Sequence, residues 1–383
     1  MKIVADENMP LVDLFFSQYG EVVTKPGRLL KRADVEDADI LLVRSVTKVN
    51  AALLENTPIK FVGSATIGVD HIDTEYLAKQ GIGFSAAPGC NAQAVVEYVF
   101  VALLELEKTR GYVLEEMTVG IMGLGNVGSR LKAALEKLGI TVLACDPPLK
   151  AQGVAGLVDY EEILKADVIT FHTPLTLEGS HPTYHLVDTE FLGAMKPDAL
   201  LINASRGSVI DNRALNLMLE GRQDLSVVLD VWEGEPLIDR ELAQRVEVAT
   251  PHIAGYSFDG KVRGTSMIYE AFCKAEGIDA SIQTRDLIPP EVNQVIDLME
   301  GEVPMTARAL TRLVYNIMED DFTLRSTLKL PRERRVAAFD QLRKHYKLRR
   351  EFAEVTLRGF DQWVELVPAH ESARIRSLGF MLE

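Results

Sequence analysis

Cysteine is scarce in this sequence: Cys90, Cys145 and Cys273 are the three in 383 residues. They are widely spaced and sit in apolar or turn contexts, so reduced thiols and a cytoplasmic location are expected rather than a disulfide framework. Long apolar runs are missing as well. No stretch reaches the length of a membrane span, and Met1-Lys2-Ile3-Val4-Ala5-Asp6 enters a strand pattern at once, so neither membrane association nor a leader is expected. Positive charge is in deficit, 41 Lys+Arg against 56 Asp+Glu, which argues against nucleic acid as a partner. The deficit is uneven: residues 301–383 hold 15 Lys+Arg and 12 Asp+Glu, a balance of +3, so the first 300 carry −18 against a net −15. A metal-ligand pattern is also lacking. His172, His181 and His185 lie close together, but Gly179 and Pro182 place two of them in a loop, and a hydrogen-bonding turn is expected instead of a zinc site.

What the chain does contain is a glycine turn in a telling setting. Gly123-Leu124-Gly125-Asn126-Val127-Gly128 follows the apolar run Met117–Met122 and opens a helical pattern through Val127, Leu131, Leu135 and Leu138. A second strand pattern, Thr141–Cys145, then ends on Asp146. Alone, G-x-G-x-x-G is weak. Within strand, turn, helix, strand and acid it has a physical purpose. Glycines let the backbone approach a pyrophosphate, the helix start offers unpaired N–H groups, and the acid accepts from a ribose diol. Residues 117–146 are therefore expected to form the core of a dinucleotide site.

Either side of this unit the chain alternates short apolar runs with helical patterns. Ile3–Ala5, Val22–Thr24, Ile40–Val43, Phe61–Gly63 and Ile82–Ser85 read as strands of a small parallel sheet. Arg44-Ser45 and Ser64–His71 follow two of these strands directly, as substrate contacts or as plain strand-end turns. A long apolar helix is expected from Ala92 to about Glu107. Further strands are expected at Val168–His172, Ala199–Asn203, Val227–Leu229 and Val246–Ala249. Arg206, Glu235 and His252 each follow one of the last three. Each could be a solvated turn; together they lie on one sheet edge and could converge for hydride transfer coupled to proton transfer on an anionic substrate. Beyond Pro289-Pro290 the pattern turns helical and basic. Leu310, Leu313, Val314, Ile317 and Met318 form an apolar stripe, and the run Arg343–Arg350 reads most simply as a solvated face.

Over residues 1–285 the sequence resembles the D-2-hydroxyacid dehydrogenases, through Gly123–Gly128 with Asp146, Asn203–Gly207, Asp230–Pro236 and Pro251–Gly255. Ala5–Pro10, Ser64–Asp73, Ala87–Asn91 and the C-terminal extension point to a branch acting on a phosphorylated 2-hydroxy acid. The resemblance implies an α/β fold in which a Rossmann-type parallel-sheet NAD domain (92–256) is inserted in a smaller flavodoxin-like substrate domain (1–91 with 257–285). An α-rich or α+β C-terminal domain (286–383) would form a homodimer. It implies catalytic roles for Arg206, Glu235 and His252. NAD contacts fall on Gly123, Gly125, Asn126, Val127, Gly128, Asp146, Thr173, Ala204, Ser205, Arg206, Asp230 and Gly255. Substrate contacts fall on Ser45, Thr66 and Tyr256, and no metal is implied. Two alternatives stand beside this: a relative acting on 3-phosphoglycerate or another D-2-hydroxy acid, and a dinucleotide-sensing corepressor on the same fold.

Overall fold

The structure, a computed structural model, describes every residue except Arg285, Asp286 and Glu302. The chain divides into two compact units, Met1–Ala92 with Tyr256–Asn293 and Gln93–Gly255 with Gln294–Glu383. The boundary expected after residue 285 falls outside the described residues, and the tail groups with the central sheet instead of standing apart.

The first unit is built on five parallel strands, β1 (Lys2–Asp6), β2 (Glu21–Lys25), β3 (Ile40–Val43), β4 (Phe61–Ser64) and β5 (Gly83–Ala86). Their order is β2-β1-β3-β4-β5, the doubly wound order of flavodoxin-like sheets. Both faces are apolar, as a parallel sheet covered by helices requires. One face packs on Phe15, Phe16, Tyr269 and Phe272, and the other on Val35, Leu53, Leu54 and Leu77. Tyr269 and Phe272 come from the helix Phe258–Glu276, which starts on Ser257, whose side chain accepts from Gly260 N. Each such ring, fully buried, contributes about 1.5–3 kcal/mol.

The second unit holds six parallel strands, β6 (Thr118–Met122), β7 (Thr141–Cys145), β8 (Val168–Phe171), β9 (Leu200–Asn203), β10 (Ser226–Leu229) and β11 (Val248–Ala249). The order β11-β10-β9-β8-β6-β7 reverses direction between β6 and β8. Open sheets bind ligands at such a reversal, and the glycine turn leaves β6 there. The helix that follows, Asn126–Lys137, buries Leu131 and Leu135.

In the tail the expected helices are present, and so is a small parallel sheet, β12 (Gln294–Asp297), β13 (Val355–Arg358) and β14 (Met381–Leu382), in the order β12-β13-β14. The apolar stripe is not one helix. It breaks at Tyr315, and the Asn316 side chain caps a second helix, Ile317–Thr327, by accepting from Met318 N. Arg349 and Arg350 are not a solvated face either, being 1% and 3% exposed.

The charge imbalance of the sequence closes within this unit. Glu105 pairs with Arg308 and Arg312, and Arg349 lies 3.7 Å from Glu97. Arg374, 5% exposed at its side chain, forks onto both Glu107 and Glu115 at 2.7–2.9 Å. Burial pushes the Glu97 carboxyl up to about 8, against the pull of the Arg349 guanidinium. Buried pairs of this kind fix geometry more than they add stability, but breaking one strands a charge. Replacing Arg374 by Met should therefore cost about 3 kcal/mol of unfolding free energy, measured by urea titration. A cost below about 1 kcal/mol would place the pair among solvent-screened ones.

Candidate active site

Three loops leave the carboxyl ends of β9, β10 and β11, and each is tied down by its own polar residue. After β9, the buried Asn203 holds the turn: its Oδ1 accepts from Ser205 N and Ser205 Oγ, and its Nδ2 donates to Arg206 O. Arg206 follows, with Nη1 donating to Ser205 O at 2.8 Å. Gly207 is required next, because a Cβ there would overlap the Trp232 carbonyl. That contact places the Arg206 turn against the loop after β10. In the latter, Trp232 N donates to Glu235 Oε1 at 2.8 Å and aims the carboxylate.

The loop after β11 carries His252 in the left-handed backbone region, φ 58°. Such a conformation costs a non-glycine residue roughly 1–3 kcal/mol and persists only where its surroundings impose it. Here Asp230 imposes it. His252 N donates to Asp230 O (2.7 Å), and Ile253 N and Ala254 N donate to the two oxygens of its carboxylate at 2.8 and 2.9 Å. Thr250 Oγ1 adds a third donor at 2.6 Å and in turn accepts from Tyr98. From the tail, Arg349 donates to Ala254 O and Ala94 O while its guanidinium stacks 3.7 Å over the Tyr315 ring.

The outcome is a dyad. His252 Nδ1–H donates to Glu235 Oε2 at 2.7 Å, which leaves Nε2 as the free acceptor of the ring. Burial opposes ionisation of Glu235, but the His252 imidazole and the Arg343 charge outweigh it and hold the carboxyl below its usual range. The arrangement can take a proton on Nε2 and stabilise the resulting imidazolium, beside an arginine able to hold an anion.

Whether NAD fits can be judged from the turn after β6. Gly123 has φ 91°, and a Cβ there would lie 2.7 Å from His172 O and 3.0 Å from Thr173 Cγ2. Thr173 Oγ1 is buried without a partner beside it, a polar atom that a bound ligand can satisfy. At the end of β7 Asp146 accepts from Leu124 N through one oxygen and from Leu149 N through the other, so each oxygen keeps a lone pair. The residues present fit a dinucleotide. Asn126 and Val127 open the helix, Ala204 lies in the Asn203–Arg206 turn, and Gly255 ends the His252 loop. Of Ser205 and Asp230, expected at the cofactor, the first donates its hydroxyl to Asn203 Oδ1 and the second has its carboxylate engaged by protein donors, so both support their loops.

Of the histidines, His172 is held neutral, burial pushing it down to about 3. His185 lies between Glu233 (2.7 Å from Nε2) and Asp211 (3.7 Å from Nδ1). Each of the three offers a ligand atom within 4.8 Å of the others, while the shortest contacts pair the two carboxylates with different ring nitrogens, as hydrogen bonds do.

The expected substrate residues belong to the first unit. Ser45 is exposed, and the Thr66 hydroxyl donates to Gly68 O within its own loop. Tyr256 has the most informative surroundings. Arg44 Cζ lies 5.3 Å and Lys261 Nζ 4.8 Å from its ring centroid, two cations on one aromatic ring. Burial, and then the Arg44 charge, pushes Lys261 down to about 7, against the pull of Asp6. Sequence reasoning missed Lys261. Its only signal was a lone lysine near the start of an otherwise buried helical segment.

A family model, D-isomer specific 2-hydroxyacid dehydrogenase, NAD binding domain, matches residues 98–254, and a domain of unknown function, DUF3410, matches 287–369. The chain is 49% identical over 360 residues to the erythronate-4-phosphate dehydrogenase of Azotobacter vinelandii, covering 94% of this chain and 95% of that one. The chain belongs to the erythronate-4-phosphate dehydrogenases. The Escherichia coli O7:K1 member is 50% identical over 361 residues, 93% of each chain. As a member of this family within the D-2-hydroxyacid dehydrogenases, the chain is an NAD-dependent oxidoreductase. The same fold is seen in NAD-bound 3-phosphoglycerate dehydrogenase from Entamoeba histolytica (TM-score 0.62, 24% identity, 74% of this chain and 98% of that one). It is also seen in the TT0316 protein of Thermus thermophilus (TM-score 0.61, 25% identity, 73% and 99%).

Asp146 gives this site a measurable consequence. A carboxylate at the ribose repels a 2′-phosphate, so Asp146→Ala should narrow the NAD to NADP ratio of kcat/KM by about tenfold or more. Steady-state kinetics with both cofactors read it directly, and an unchanged ratio places the adenosine end elsewhere.

Proposed function

We propose that the chain oxidises 4-phospho-D-erythronate to 2-oxo-3-hydroxy-4-phosphobutanoate with NAD, a step in making pyridoxal 5′-phosphate. The observation that carries it is the Glu235–His252 dyad set beside the Arg206 turn. Bound NAD supplies the two-electron acceptor for the hydrogen on C2. His252 Nε2 takes the proton of the C2 hydroxyl, and Glu235 holds the ring through Nδ1 and offsets its new charge. Arg206 forks onto the substrate carboxylate and polarises the developing C2 carbonyl. Thr66, Ser45 and Tyr256 contact the remaining hydroxyls, and Arg44 with Lys261 receives the phosphate. A phosphate suits that cation pair, since the pull of Asp6 does not offset the burial and the Arg44 charge that hold Lys261 down.

The homodimer belongs to this reading, with the tail as its interface, in the cytoplasm. Leu313, Phe322, Leu348 and Leu366 in the tail are each more than half exposed, an apolar excess that a second copy would cover. Phe322→Asp should then yield monomers by light scattering, whereas a dimer of wild-type affinity would move the interface elsewhere.

Glu235→Gln should lower kcat and move the acidic limb of kcat/KM to lower pH, because the imidazolium loses its charged neighbour. The folded Lys261 value lies near 7, below the unfolded one, so between there and about 10 the unfolded chain holds the extra proton and stability rises with pH. A phosphate beside it reverses that depression. Substrate binding at pH 8 should therefore take up close to one proton, seen by calorimetry in buffers of different ionisation enthalpy. Lys261→Met should abolish the uptake and raise KM more than it lowers kcat. Proton-neutral binding to the wild type would remove Lys261 from the phosphate site.

A further inference from the structure

The helix Asn212–Gly221, the segment Glu233–Arg240 and the start of the helix Arg332–Lys344 line an open surface cavity of about 430 Å³. Four arginines line it, Arg213, Arg240, Arg332 and Arg335, and neither Arg206, Glu235 nor His252 does. Two acids share the lining; both oxygens of Glu233 and one of Asp239 are already engaged. Glu233 meets His185 through Oε1 and accepts from Asn212 N through Oε2. Asp239 Oδ1 accepts from Glu241 N and Leu242 N.

The guanidiniums are different. Among the described residues none of the four has an acceptor or an ion-pair partner, and Arg335 Nη1 is buried without any hydrogen bond. Leaving that one buried donor unpaired is costly, and the exposed charges of Arg213, Arg240 and Arg332 repel it and one another through solvent. Both costs vanish when an anion fills the space. The chain as a whole carries −15, so this concentration of cations is not a general property of its surface.

We propose that this cavity is a binding site for a small polyanion bearing two or more phosphate groups, separate from the hydride-transfer site. One phosphate engages one or two guanidinium forks; four forks around this volume match a diphosphate or larger. The NAD pyrophosphate is not that ligand, because the glycine turn leaves β6, two strands across the sheet from β9. An occupant would clamp the tail helix to the segment that carries Glu235.

The test uses the full-length enzyme with inorganic pyrophosphate as probe, at constant ionic strength and with saturating NADH. Calorimetry should show one saturable site. Its affinity should fall about tenfold or more in an Arg332→Ala, Arg335→Ala double variant, with KM for NAD and for 4-phosphoerythronate unchanged. Arg240→Ala, on the opposite wall, should weaken binding in the same way and guards against a local folding defect in the double variant. Unchanged affinity in these variants, or displacement of pyrophosphate by the phosphorylated substrate, would overturn the site. Neither result bears on the substrate reading, which rests on other residues.

Discussion

The Asp230 carboxylate is the constraint on which the catalytic edge depends. It is 1% exposed and accepts from a hydroxyl and two backbone amides of one short loop. Those bonds impose a left-handed backbone on His252, which in turn sets the direction of its imidazole. A histidine on an unconstrained turn would sample several rotamers, and its Nδ1 would meet Glu235 in only a fraction of them. Charge-assisted bonds in a dry setting are strong enough, about 1.5–3 kcal/mol each, to hold strain of this size. The His252 ring is aimed by backbone, and the acid that aims the backbone is itself aimed by Thr250 and Tyr98.

The tail takes part in the same construction. Arg349 reaches the carbonyl of Ala254, inside the loop that Asp230 grips from the other end. Asp321 caps Ala249 N of β11, and Arg325 donates to Ala243 O and Val246 O just before it. Residues that read as a basic appendage therefore form the far support of the strand that delivers His252. Buried ion pairs suit that role. They add little net stability over an apolar contact, but they admit only one geometry.

Much of this was legible from residue order. Short apolar runs marked all eleven strands of the two larger sheets to within a residue or two, because parallel strands buried on both faces cannot be polar. The glycine turn, Asp146 and the Arg, Glu and His at strand ends were legible because each follows a strand directly. The tail sheet was not, since β12 and β13 are separated by four helical segments and neither is long enough to announce itself. Arg349 and Arg350 failed for a related reason: a charge run looks solvated until its partners are known, and Glu97 and Ala94 lie some 250 residues away. Asp230 was expected at the cofactor through the family resemblance, and only the fold shows the hydroxyl and two amides that donate to its carboxylate.

Lys261 shows what such hidden residues cost and what they make possible. A lysine lowered to about 7 beside an arginine is a destabilising arrangement in the free protein, and nothing in the first unit's core requires it. The free energy withheld there returns when an anion binds, because the same two charges then attract one group instead of repelling each other. A phosphate far from the reacting carbon binds equally in the ground and transition states, so it cannot by itself lower the barrier at C2. It can hold the substrate in one pose, so that the hydroxyl proton is presented to a fixed acceptor instead of to water. That division of labour explains why the aromatic ring lies with the cations. Tyr256 stabilises both through its π face while offering no competing anion of its own.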